Sequence, residues 1–154
     1  MSSPTVTLER LVTEPFTSIE VKVMSVTVNA GRPHQGLRLV GEPEVLEQIE
    51  TAVRQGTLIV GPIPNSSFST REALRLELSA PDLESARVTS GARLEIFQLN
   101  SERLELRASS GGRLIASGVV GELFALAESG ASIQLSGLVA GTVSKQSRSG
   151  GRVV

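Results

Sequence analysis

The chain has no cysteine, no tryptophan and no tyrosine, and it has one histidine, His34, and one aspartate, Asp82. Each absence removes a class of chemistry. Without cysteine there are no disulfides, thiolate metal sites or thiol nucleophiles. One histidine cannot build a histidine-based metal centre. A Ser-His-Asp triad would have to draw on His34 and Asp82, and no G-x-S-x-G elbow accompanies them. A single aspartate rules out EF-hand loops, Asp-based calcium repeats and Asp dyads. Aromatic residues make up 3% of the chain and the net charge is −1. The stacking platforms and the basic field that nucleic acid requires are therefore both missing. No apolar window reaches the length of a membrane-spanning helix. The N-terminus, Met1-Ser2-Ser3-Pro4-Thr5, shows neither a basic n-region nor an apolar h-region. Two settings are consistent with that: the cytoplasm, or the envelope after removal of a leader.

What is present is aliphatic. Hydrophobic residues are 40% of 154, enough for a folded domain with a core of Val, Leu, Ile and Ala. One domain is expected over residues 1–154, with strands and a short helix in 10–72 and repeats in 73–154. In the first part Ile19, Val21 and Val23 alternate with polar residues, as do Val26 and Val28. Another strand begins at Leu37-Arg38-Leu39 after a turn that holds His34. These read as antiparallel strands joined at Gly/Pro clusters. Gly41 to Ile49 predicts a helix of about two turns, with Pro43 at its first position and Glu44 near the positive dipole end. Strands follow at 49–53, at Thr57-Leu58-Ile59-Val60 and at Leu74 to Leu78, with a Pro- and Ser-rich loop over 61–69.

Beyond residue 80 the chain repeats. Ser90-Gly91-Ala92-Arg93-Leu94 returns as Ser110-Gly111-Gly112-Arg113-Leu114, Ser129-Gly130-Ala131-Ser132-Ile133 and Ser149-Gly150-Gly151-Arg152-Val153, the glycines lying 20, 19 and 20 residues apart. A fixed period of this size indicates stacked units. Leu94, Leu114, Ile133 and Val153 share one offset, Glu84, Leu104, Leu123 and Val143 a second, and Val88, Ala108, Ala127 and Ser147 a third. Apolar residues at equal offsets stack at the strand spacing of about 4.8 Å. Leucine-rich repeats have a similar period, but their leucine ladder and Asn position are absent. The expected fold is an all-β solenoid with stacked parallel strands from about Leu74 onward and a bend at each glycine.

The Ser-Gly corners do not make a phosphate loop, because a strand and not a helix follows each one. Arg93, Arg113 and Arg152 recur two residues after the corner glycine, with Ser132 in the remaining turn. Stacked guanidiniums form a strip for an anionic ligand such as an acidic glycan, with Arg103 and Arg107 as flankers. The competing reading is a solvated edge neutralised by Glu95 and Glu105. A carboxylate pair for glycoside hydrolysis would have to come from scattered glutamates such as Glu95, Glu105 and Glu128.

Three segments together resemble a known family. Phe16-Thr17-Ser18-Ile19-Glu20-Val21, Gly41 through Ile49 and Gln55-Gly56-Thr57-Leu58-Ile59-Val60 are similar to its N-terminal part. Leu76 through Leu83, followed by Ser-Gly repeats, is similar to the rest. The family is the bacterial DUF2807 group, labelled "putative auto-transporter adhesin, head GIN domain". The resemblance covers residue 10 to the C-terminus. It implies a single-stranded right-handed β-helix and export to the periplasm or cell surface, and it brings no catalytic residues and no cofactor. The chain departs from the family in its Ser-Gly-Ala and Ser-Gly-Gly corners and in stopping at Arg152-Val153-Val154, within a repeat. An unfinished turn leaves an edge to which a second copy can add. The expectation is thus a catalytically silent binding or scaffold module of the envelope. A self-assembling structural module is the first alternative and a carbohydrate-active β-helix enzyme the second.

Overall fold

A computed structural model describes residues 6–12, 14–31, 36–63, 74–80 and 83–154. His34, Asp82 and most of the Pro- and Ser-rich loop lie outside them. The chain is all-β, and its described residues form one 12-stranded curled open sheet. Its first elements are β1 (Val6–Arg10), β2 (Ser18–Lys22), β3 (Ser25–Ala30), β4 (Leu37–Gly41) and the helix α1 (Pro43–Leu46). They are followed by β5 (Ile49–Arg54), β6 (Thr57–Pro62), β7 (Arg75–Ala80) and β8 (Ser85–Thr89). Three long bent strands come next, β9 (Arg93–Ala108), β10 (Arg113–Ala127) and β11 (Ser132–Ser147), and then β12 (Arg152–Val153).

The repeat region pairs as its period predicts. β10 runs parallel to β9 and to β11, with Leu94, Leu114 and Ile133 as register partners, and β12 adds Val153 to the same row. Leu94, Leu114 and Ile133 are fully buried. Leu104 and Leu123 are buried as expected, whereas Val143 is 45% exposed. Ser147 is also exposed, although Val88, Ala108 and Ala127 in its row are buried.

The N-terminal strands differ from expectation. Among the described residues only β1 with β4, β4 with β7 and β5 with β6 are antiparallel. β2 lies parallel between β6 and β8, and β3 lies parallel between β7 and β9. The β2–β3 segment therefore sits in the stack beside the first repeat. The reason is apolar continuity: Leu76, Val26 and Leu94 stand in one row, and Leu58, Ile19, Ala86 and Leu106 in another. Both rows are buried in one continuous core, so parallel pairing covers more aliphatic surface than an isolated antiparallel meander would. Alternation along a strand does not encode strand direction.

The helix is a single turn, not two. Pro43 starts it and Glu42 offers no side-chain cap. Val45 and Leu46 are buried, and Ile49 already belongs to β5. Arg10 holds this corner in place. Its guanidinium donates to Ile49 O at 2.7 Å, Leu46 O at 2.9 Å and Thr51 Oγ1 at 3.2 Å, and desolvation lowers its pKa.

Each repeat corner places two residues, not one, at positive φ: Ser90 and Gly91, Ser110 and Gly111, Ser129 and Gly130, Ser149 and Gly150. In the first corner Ala92 N–H donates to Thr89 O at 3.1 Å, closing a turn of type I′. The corners are stitched together by Gly91 N–H to Ser110 O at 3.0 Å and Gly111 N–H to Ser129 O at 3.1 Å. A Cβ on Gly111 would meet nothing within 4 Å, so its backbone angle alone calls for glycine.

Candidate functional site

In a parallel stack, side chains at equal offsets form rows across the strands. The outward row that begins at Arg75 continues through Ser25, Arg93, Arg113 and Ser132 to Arg152. Arg93 and Arg113 are direct register partners, as the repeat offset requires. The neighbouring outward row carries Glu77, Thr27, Glu95, Ile115 and Gln134. Arg93 pairs with Glu95 at 2.8 Å, and Arg75 approaches Glu77 at 3.9 Å. Where Arg113 would find the equivalent acid, the chain has Ile115. Among the described residues no carboxylate lies within ion-pair reach of Arg113. The strip is neutralised at one end and uncompensated from Arg113 onward.

Arg103 and Arg107 do not extend this row. They lie on the last part of β9, where Arg103 is the register partner of Glu122 and Arg107 that of Leu126. Arg103 Nε is 3.1 Å from Glu122 Oε2. Arg107 pairs with Glu105 on its own strand, and its guanidinium carbon is 5.9 Å from the centroid of the Phe124 ring. The tetrapeptides Arg93-Leu94-Glu95-Ile96 and Arg103-Leu104-Glu105-Leu106 look alike in sequence but fall on different stretches of the bent strand. Arg75 was missed as a member of the strip, although Arg75-Leu76-Glu77-Leu78 repeats the same pattern. No Ser-Gly corner precedes it to mark the register.

The part of the surface that carries Arg103 also holds an open trough of about 570 Å³. Across it runs the outward row Ser18, Ser85, Glu105, Phe124 and Ser144. Sequence reasoning passed over this feature, because a lone phenylalanine reads as core until its outward register is known.

Residues 15–153 match the family model described as "Putative auto-transporter adhesin, head GIN domain". The chain belongs to that family. Solved structures show the same fold at low identity. A putative adhesin from Parabacteroides distasonis is 13% identical, with a TM-score of 0.66 over 98% of this chain and 81% of that one. A protein from the same organism described as a putative lipid binding protein is 14% identical, with a TM-score of 0.65 over 97% and 72% of the two chains. A putative adhesin from Bacteroides fragilis is 12% identical, with a TM-score of 0.60 over 99% and 97%. No curated protein matches the chain. Among the described residues no helix is long and apolar enough to cross a membrane, and no cluster of three potential metal-ligating side chains occurs.

Proposed function

We propose that the chain is a non-enzymatic, exported binding module of the bacterial cell envelope that takes an anionic ligand, such as an acidic glycan, along the Arg93–Arg113 row. Membership of an adhesin-like family supports the binding role and the location. The 20-residue register of β9, β10 and β11 supports a right-handed single-stranded β-helix as the scaffold.

The observation that carries the ligand class is the pairing of Arg93 with Arg113 beside an acidic row that ends at Ile115. Two guanidiniums one strand spacing apart repel by about 1 kcal/mol even in water-like dielectric. An interposed carboxylate or sulfate reverses that sign and can accept paired hydrogen bonds from each planar fork. The test is binding of a heparin-type polysaccharide at low and at moderate salt, for the wild type and for Arg93→Ala/Arg113→Ala. Wild-type binding that weakens with salt and falls at least tenfold in the double variant is expected. No binding at low ionic strength, where screening is weakest, would refute the reading.

A further inference from the structure

We propose a second binding site, independent of the arginine strip: the trough centred on Phe124 is a subsite for a neutral sugar ring. Phe124 projects outward from β10 between two register partners, Glu105 on β9 and Ser144 on β11. Inward residues on either side of it, Leu123 and Ala125, are buried, so the strand already supplies its core without this ring. Phe97, the other phenylalanine in the repeats, lies on the first half of β9, which leaves Phe124 as the one aromatic among the described residues that line the trough.

The polar groups around the ring select the guest. Glu122 stands two residues before Phe124 on the same strand and pairs with Arg103 at 3.1 Å. Glu105 pairs with Arg107, whose guanidinium also lies near the ring. Ser85 continues the row beyond Glu105 and is hydrogen-bonded to Ser18, Oγ to Oγ, at 2.7 Å. Acceptors, donors and hydroxyls thus surround one apolar face, and two of the carboxylates are already matched by arginines. The trough's third carboxylate, Glu84, is in no ion pair among the described residues, and an anionic guest would have to break one of the two arginine pairs. A sugar ring would not: its C–H face covers the phenyl group, and its hydroxyls both donate to the glutamates and accept from Arg103 and the serines. The volume of about 570 Å³ lies within the ordinary range for small-ligand sites. The trough crosses successive strands, so a chain of sugars can lie along the stacking direction and be contacted turn by turn.

Saturation-transfer NMR with neutral glucose, mannose and N-acetylglucosamine oligosaccharides tests this in the full chain. The expected result is transfer to ring C–H protons of at least one series. The signal should disappear in Phe124→Leu, which keeps apolar bulk but removes the flat face, and persist in Phe124→Trp. It should also persist in Arg93→Ala/Arg113→Ala and change little with salt, which separates this site from the anionic strip. Unchanged circular dichroism of each variant secures the comparison, and Glu122→Gln provides a weakened second variant that leaves the ring in place. No transfer from any neutral series, or transfer that survives Phe124→Leu, would overturn the assignment. Binding of a lysine-rich peptide alone, lost in Phe124→Leu, would assign the ring to a cation and overturn it as well.

Discussion

Leu114→Ala probes how far rows of aliphatic side chains hold the parallel strands together. Leu114 is fully buried between its register partners Leu94 and Ile133, which are themselves fully buried. Truncation removes three carbons, a transfer loss of about 2.4 kcal/mol at ~0.8 kcal/mol per methylene. The strands on either side are hydrogen-bonded at a spacing of about 4.8 Å, so the walls cannot close on the hole. A cavity contribution therefore adds to the transfer loss, and the expected total is about 3–4 kcal/mol, inside the range of buried Leu→Ala changes. Ile115→Ala is the control: the next residue on the same strand faces outward and should cost about 1 kcal/mol or less. Equilibrium urea unfolding followed by circular dichroism reads both. With a slope of about 2 kcal/mol per molar urea, Leu114→Ala lowers the midpoint by about 1.5–2 M. A changed slope would instead show that turns unfold separately, as stacked repeats can. A loss below about 0.5 kcal/mol, or a larger loss for Ile115→Ala, would refute the row model.

Two further substitutions test the backbone. Gly118 has φ of 130°, and a Cβ there would lie 2.3 Å from Leu99 O, so Gly118→Ala should cost about 4 kcal/mol or abolish folding. Gly111→Ala meets no atom and should lose only the left-handed penalty of about 1–2 kcal/mol; equal melting temperatures for the two would contradict the geometry. Val23 is a β-branched residue at φ of 73°, 49% exposed, inside a tight turn closed by Met24 N–H to Lys22 O at 2.9 Å. Val23→Gly should therefore stabilise the protein by about 0.5–1 kcal/mol, raising the melting temperature by about 1–4 °C, and a fall in melting temperature would show that the valine side chain contributes more than the strain costs.

The repeat was legible because equal offsets from Ser-Gly become equal positions in a parallel stack. Leu94, Leu114 and Ile133 could be placed inward, and Arg93 beside Arg113, from spacing alone. The N-terminal strands were not legible in the same way. β2 and β3 alternate cleanly, but nothing local to Ile19 or Val26 says that Ala86 and Leu94, more than 60 residues later, will be their neighbours. Alternation fixes faces and leaves both partner and direction open. The corner at Val23 was hidden for a related reason: it adopts positive φ without the glycine that marks the later corners. That Arg103 and Arg107 lie off the Arg93–Arg113 row was not legible either, because a continuous strand that changes direction carries one residue pattern onto two surfaces.

This bend is also what lets one short repeat carry two unlike surfaces. Inward positions along β9 and β10 are aliphatic on both sides of the bend, so the core places the same demand on each half. Outward positions are free of that demand and can diverge: an arginine row beside a failing acidic row on the first half, a phenylalanine beside the Arg103–Glu122 and Arg107–Glu105 pairs on the second. A substitution in either row changes one rung without touching the rows that hold the strands together. The salt-sensitive strip and the salt-insensitive trough should accordingly respond to separate variants, and a double variant such as Arg113→Ala with Phe124→Leu should lose both kinds of binding additively, since the two sites share no side chain.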